Sequence, residues 1–220
     1  MVELIRGLRA DRVRTNLKQV RDRIGQAGRD PASVQILAAV KYLAVEELDT
    51  LAEAGLSLLG ENRAQDLVSK AEAHPGQFTW DFIGALQSRK VPLLLPHVRY
   101  IQTVASDSAL KQLARHEEEP DPPVRILVEV NVAGEAGKAG IAPDELAGFL
   151  DRCPVEVVGL MTMPPLAPSP EDSRRYFATL RELAAAHELP ELSMGTSQDY
   201  GVAVEEGATI IRLGSTLFAA

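Results

Sequence analysis

Apolar residues in this chain recur in two rhythms. Near the N-terminus Val13, Leu17, Val20 and Ile24 fall three or four positions apart, which predicts an amphipathic helix docked on a core. Beyond it, short β-branched or apolar runs alternate with stretches of helical pattern. The runs are VQILAAV (34–40), LSLLG (56–60), FTWDFIG (78–84), YIQTVA (100–105), VRILVEVNV (124–132), VEVVGLMTM (155–163), ELSMG (191–195) and TIIRLG (209–214). Helical patterns fill 44–54, 62–73, 87–95, 107–118, 143–151, 171–187 and 199–206. Several runs are almost continuously apolar, as parallel strands buried on both faces are. Eight strands alternating with helices predict an α/β fold, a single (β/α)8 TIM barrel over residues 1–220 with residues 1–27 as an extra N-terminal helical extension. A doubly wound open sheet competes less well. Its glycine-rich turn should follow the first strand, where Lys41-Tyr42-Leu43 stands, and no G-x-G-x-x-G occupies a strand–helix junction. Two proline-bearing segments, HEEEPDPP (116–123) and MPPLAPSP (163–170), read as solvent-facing loops.

Charge narrows the function classes. Lys and Arg number 23 against 31 Asp and Glu, a net charge of −8, so no overall basic footprint points to nucleic acid. Residues 1–30 are locally basic, with Arg6, Arg9, Arg12, Arg14, Lys18, Arg21, Arg23 and Arg29 against four acids. At helical spacing and without interleaved aromatics, this reads as the solvated face of the first helix. No apolar run approaches the ~18–20 residues of a membrane span, and the N-terminus lacks the apolar stretch of a signal peptide. The one cysteine, Cys153, forbids an internal disulfide framework and favours a reducing, cytoplasmic setting.

In a barrel of this kind, chemistry lies where strands end and helices begin. That selects Lys41, Glu61-Asn62, the residues from Gly84 to Gln87, Asn131 onward, Met161 to Met163, Met194 to Asp199 and Arg212 to Thr216. Lys41 closes the first strand after an apolar run; partly desolvated there, its amine could form a Schiff base, or it could simply reach into water. SMGTSQD (193–199) and RLGST (212–216) end the last two strands, the usual phosphate site of the fold, with Ser197 as an expected N-cap and Gly214 and Ser215 beside an anion. Arg212 lies within an apolar run and needs an acceptor, either Glu61 or Glu129 in an internal salt bridge or a ligand atom such as the ring nitrogen of pyridoxal phosphate. His74, His97, His116 and His187 show no metal-ligand spacing. GEAGKAG (134–140) fails as a P-loop, because Val132 stands at the first glycine position and Lys138 precedes alanine.

Seven segments, in this order, carry a resemblance to a known family: AAVKY around Lys41, LLGENRAQDLVSK (58–70), WDFIGALQSRKV (80–91), VNVAGEAGKAGI (130–141), GLMTMPP (159–165), LSMGTSQDYGVAVEEG (192–207) and IIRLGSTLF (210–218). From about Leu4 to Phe218 the chain resembles the pyridoxal-phosphate homeostasis proteins, related to the barrel domain of alanine racemases. The resemblance implies a fold-type III barrel with pyridoxal 5'-phosphate as cofactor, in Schiff-base linkage to Lys41. It implies that Ser197, with Thr196, Gly214 and Ser215, holds the phosphate, that Arg212 faces the pyridine nitrogen, and that Asn62 and Met161 line the ring pocket. The family often has histidine where Asp81 stands, methionine where Thr196 stands, and a Ser-Lys-Thr-Lys-like stretch where this chain has Val40-Lys41-Tyr42-Leu43.

The same residues bear on turnover. Arg212 can only donate, so it would leave the ring nitrogen unprotonated and weaken the electron sink. Racemisation also needs a second base opposite Lys41. In the racemases that base comes from an added β domain, and this sequence ends at Ala220, just past the eighth strand; Tyr42 and Tyr200 are the candidate substitutes. The expectation is a cytoplasmic, monomeric protein that buffers or delivers the cofactor without turnover, with cofactor-accepting apo-enzymes as partners and no nucleic-acid or membrane partner. A racemase-like enzyme acting on an amino acid and a phosphosugar isomerase are the alternatives.

Overall fold

Eight parallel strands hydrogen-bond in chain order and close between the first and the last in this computed structural model, which describes residues 4–116 and 123–219. The strands are β1 (Gln35–Ala39), β2 (Leu58–Glu61), β3 (Thr79–Phe82), β4 (Tyr100–Val104), β5 (Arg125–Glu129), β6 (Val157–Met161), β7 (Glu191–Thr196) and β8 (Ile210–Leu213). Every predicted strand is present, most of them shorter than its apolar run. Val40 and Val130, for example, lie past their strand ends yet remain buried, and each still donates its backbone N–H to the neighbouring strand, to the carbonyls of Gly60 (2.9 Å) and Met161 (2.8 Å).

Helices α1 (Ala10–Gln26), α2 (Leu48–Glu53), α3 (Ala64–Ala73), α4 (Val91–Leu94), α5 (Asp107–Ala114), α6 (Leu146–Leu150), α7 (Arg174–Ala186), α8 (Tyr200–Glu205) and α9 (Ser215–Phe218) cover the barrel. Several begin as tight 3-10 turns, among them Val45–Glu47 before α2 and Pro170–Ser173 before α7. The helix expected over 107–118 stops at Ala114, and residues 117 and 118 lie outside the described residues, as does most of the loop expected at 116–123. The other expected loop, 163–170, faces solvent, with Leu166 almost fully exposed.

The N-terminal helix is not an appendage. The connection after β8 is a single turn, α9, too short to cover its part of the barrel. Helix α1 fills that place, burying Val13, Leu17, Val20 and Ile24. Asn16 Nδ2 donates to the carbonyls of Leu217 (3.1 Å) and Ala219 (3.0 Å), Arg14 to that of Glu53 (2.9 Å), and Arg23 pairs with Glu205 (3.0 Å). The basic face is thus solvated and tied to acids and carbonyls of neighbouring elements, as its helical spacing implies.

Side chains alternate across each strand, so one set fills the barrel and the other meets the helices. Leu37, Leu127, Met161 and Ile210 belong to the inner cluster. Between β2 and α3 sits an ion pair buried on both sides: Lys70 Nζ lies 2.6 Å from Glu61 Oε2 and donates to the Val40 carbonyl at 2.7 Å. Glu61 Oε1 accepts from the backbone N–H of Asn62 at 2.6 Å. The pair therefore anchors the residue before Lys41 and the backbone of Asn62 together. Lys70→Met leaves Glu61 buried and unpaired, so urea unfolding should show a loss of about 3–5 kcal/mol; a loss below 1 kcal/mol would contradict this role.

Candidate functional site

The C-terminal ends of the strands open into a cavity of about 550 Å3. Lys41, Asn62, Met161, Thr196, Ser197, Arg212, Gly214 and Ser215, residues from five strand ends, all line it. The residues expected from the sequence thus meet at one site. Ala85, within the selected stretch 84–87, lines it too, and so do residues the sequence did not single out for the site: Ile83 after β3, Thr103 on β4, Glu129 at the end of β5, and Phe218 on α9. Glu129 carried a usable signal, since it ends its strand and Lys41 and Arg212 lie close to the ends of theirs.

Lys41 differs from expectation in one respect. It is exposed at the mouth and not desolvated, because β1 ends at Ala39 and a turn carries the chain outward. Its ammonium stands 4.8 Å above the ring of Tyr42, itself exposed. Tyr200, the other candidate base, does not line the cavity; burial raises its hydroxyl's pKa and the nearby Arg23 opposes that rise.

Arg212 is buried among neutral acceptors. Its Nη1 donates to Ser193 Oγ at 2.7 Å, and its Nη2 donates to the Thr162 carbonyl at 2.9 Å and to Met163 Sδ at 3.6 Å. Neither carboxylate proposed as its salt-bridge partner makes a hydrogen bond to it. Glu61 faces α3 and is taken by Lys70, while Glu129 acts on Arg212 only through its field. Burial lowers the guanidinium to about 10, partly opposed by Glu129 and Asp199, so it is a cation at neutral pH.

The two last loops meet differently from the expected capping. Asp199, and not Ser197, occupies the N-cap position of α8, and its Oδ1 accepts from the backbone N–H (2.8 Å) and hydroxyl (3.0 Å) of Thr196. Ser197 is two residues too early for that cap. Its Oγ instead accepts from the backbone N–H groups of Gly214 (3.3 Å) and Thr216 (3.2 Å). Two main-chain donors thus converge on a neutral hydroxyl at long distances. On the far wall, Asn62 Oδ1 is buried with no hydrogen-bond partner among the described residues. Gly84 packs so closely beneath it that a Cβ there would lie 1.9 Å from the Asn62 carbonyl oxygen, so only glycine fits.

Other chemistry finds no support in the geometry. Among the described residues no group of three His, Cys, Asp or Glu is placed to hold a metal. Burial pushes the Cys153 thiol up to about 11, away from the reactive thiolate. Lys138 pairs with Glu135 in its own loop.

The chain matches the family described as alanine racemase, N-terminal domain, over residues 8–220. A protein of Aquifex aeolicus (strain VF5) named pyridoxal phosphate homeostasis protein is 36% identical over 219 residues, covering 94% of this chain and 96% of its own length. The structure of PipY from Synechococcus elongatus PCC7942 with PLP bound is 30% identical and aligns with a TM-score of 0.81, covering 94% of this chain and 100% of that one. Alanine racemase from Corynebacterium glutamicum, at 14% identity, shares the fold: TM-score 0.75 over 100% of this chain and 64% of its own.

Glu129 yields a pH prediction. Burial pushes its carboxyl above the usual carboxylate range, against the pull of Arg212 and Lys138. The folded state therefore prefers the protonated form, and ionisation costs stability as pH rises through the raised value; below the ordinary value both states hold the proton and the cost vanishes. Glu129→Gln should melt roughly 2–4 °C above the wild type at pH 7, a gap that closes by about pH 4. Melting curves across that range check it, and a gap independent of pH would contradict it.

Proposed function

The chain belongs to the pyridoxal phosphate homeostasis protein family, within the wider family of the alanine racemase N-terminal domain, and from that premise we propose that its cavity binds pyridoxal 5'-phosphate so that the protein can buffer or deliver it. The supporting observation is the convergence of an amine, a buried cation and a two-loop set of donors on one cavity of suitable size. When bound, the cofactor supplies an aldehyde electrophile and a conjugated ring that can accept electrons.

The residues present fit such a group. The Gly214 and Thr216 N–H groups make only long contacts to the Ser197 hydroxyl, so a phosphate oxygen with its greater charge would be the stronger acceptor for them. Ser197 and Ser215 hydroxyls would complete that cradle, and the Thr196 hydroxyl, held by Asp199, would shape its wall. Arg212 would present an N–H to the ring nitrogen. Asn62, with its unpartnered oxygen, and Met161 would border the ring. Lys41, exposed at the mouth, would bond the aldehyde carbon through its amine. An exposed attachment point suits exchange with solvent and with apo-enzymes that receive the cofactor. We place this activity in a monomer in the cytoplasm; no helix among the described residues is long and apolar enough to cross a membrane.

One observation favours a second reading, a racemase-like activity on an amino acid. Reaction at Cα from both faces needs two groups that move protons, and Glu129 lines the cavity together with Lys41. Its half-buried carboxyl takes up a proton more readily than an exposed one.

The experiment is the visible absorption spectrum of the purified protein before and after borohydride. We expect a cofactor band that Lys41→Ala abolishes, and reduction that fixes the cofactor irreversibly to Lys41. A colourless protein that pyridoxal phosphate cannot reconstitute overturns both cofactor readings and favours a phosphosugar-binding barrel. Incubation of amino acids in deuterated solvent separates the two: a carrier leaves Cα unlabelled, whereas labelling at enzyme-like rates that Glu129→Gln suppresses establishes turnover.

A further inference from the structure

Inside the barrel, four buried side chains form one unbroken hydrogen-bonded line that ends at Arg212. Its Nη1 donates to Ser193 Oγ (2.7 Å), the Ser193 hydroxyl donates to Gln102 Oε1 (2.6 Å), and Gln102 Nε2 donates to Asp81 Oδ2 (2.7 Å). Asp81, Gln102 and Ser193 are wholly buried. On its other side Asp81 is gripped by Arg99, through Nε to Oδ1 (3.0 Å) and Nη2 to Oδ2 (2.7 Å), and Arg99 Nη1 reaches Gln35 Oε1 at 2.6 Å.

The line has a direction. Burial pushes the Asp81 carboxyl upward while Arg99 and Gln102 pull it down. Its side-chain partners are all N–H donors, which leave a proton on it no acceptor, so the ionised form fits the site. An ionised carboxylate accepts only, so the Gln102 amide must turn its NH2 toward Asp81 and its oxygen toward Ser193. Ser193 then spends its single proton on Gln102 and offers a lone pair to Arg212. Reversing any one of these would strand a buried polar group.

We propose that Asp81, Gln102 and Ser193 are positioning residues for Arg212: the line sets the rotation of its guanidinium and keeps N–H groups free for the ring of the bound cofactor. The inference rests on the cofactor reading above. A carboxylate in direct contact would take two N–H groups in a fork and turn the plane toward itself. Here the line's carboxylate, Asp81, stands two neutral side chains away and is itself paired with Arg99, while Glu129 and Asp199 act on Arg212 only through their fields, so Arg212 is oriented without being saturated. The Thr162 carbonyl fixes the other terminal nitrogen, and the Glu129 carboxylate makes no hydrogen bond to Arg212 that would compete.

The test compares Ser193→Ala and Gln102→Met, each alone and combined with Arg212→Met, in protein loaded with pyridoxal phosphate. Melting of the unloaded protein reports folding, the visible band reports the ring's surroundings, and equilibrium dialysis gives the Kd. Each single variant should move the band in the direction that Arg212→Met moves it and weaken binding by about tenfold. Neither should add to the change in the Arg212→Met background. Asp81→Asn keeps the shape and removes the anchoring charge, and serves if Gln102→Met does not fold; the same shift is expected. Folded variants with an unmoved band, or equal increments with and without Arg212, would overturn the positioning role while leaving the cofactor reading intact. A wild-type protein that takes up no cofactor overturns that reading and this inference with it.

Discussion

The buried pair of Glu61 and Lys70 is the constraint on which the site's geometry depends. Two charges removed from water repay their desolvation only if every remaining donor and acceptor is used. Here both ions have further partners: Lys70 also donates to the Val40 carbonyl, and Glu61 Oε1 also accepts from the backbone N–H groups of Asn62 and Arg63. Satisfying the pair therefore pins two strand ends at once, the one that launches Lys41 and the one that carries Asn62. A hydrophobic pair of similar volume could match it in stability. It would not specify where those two backbones stop, and Lys41, being exposed, has no packing of its own to hold it.

The same dependence explains how far the sequence could be read. Parallel strands buried on both faces leave long apolar runs, so β1 to β8 were legible from runs such as VQILAAV and VRILVEVNV. Their ends were not, because Val40 and Val130 stay buried and keep a backbone hydrogen bond to the next strand after the regular ladder has stopped. The role of α1 was half legible. Its apolar stripe shows in Val13, Leu17, Val20 and Ile24, but that it closes the helix ring follows from the shortness of α9, a fact of three dimensions.

At the site, residue identity was legible and local geometry was not. Lys41, Asn62, Met161, Ser197, Arg212 and Gly214 do converge on one cavity, because the fold brings strand ends to one rim and motif order says which residues occupy them. Ser197 was misread as a cap for the following helix because a serine before a helix is the commonest cap. Register decides otherwise: Asp199 stands at the cap, and the serine is left to face the neighbouring loop. Salt-bridge partners for Arg212 were sought by charge alone, and Glu61 points to the opposite face of its strand.

The interior of this barrel sets an apolar packing problem against an electrostatic one. Leu37, Leu127 and Ile210 fill the space as barrel cores usually are filled, and the line from Asp81 to Arg212 runs among them. Apolar side chains in its place would cost nothing in unsatisfied groups, so the fold alone gives no reason for a polar column. What such a column supplies is a cation held in the wall of a cavity by neutral acceptors, with no carboxylate hydrogen-bonded to it. That arrangement leaves Arg212 with N–H groups free toward whatever occupies the cavity, and an electron-rich ring atom would be an acceptor for them.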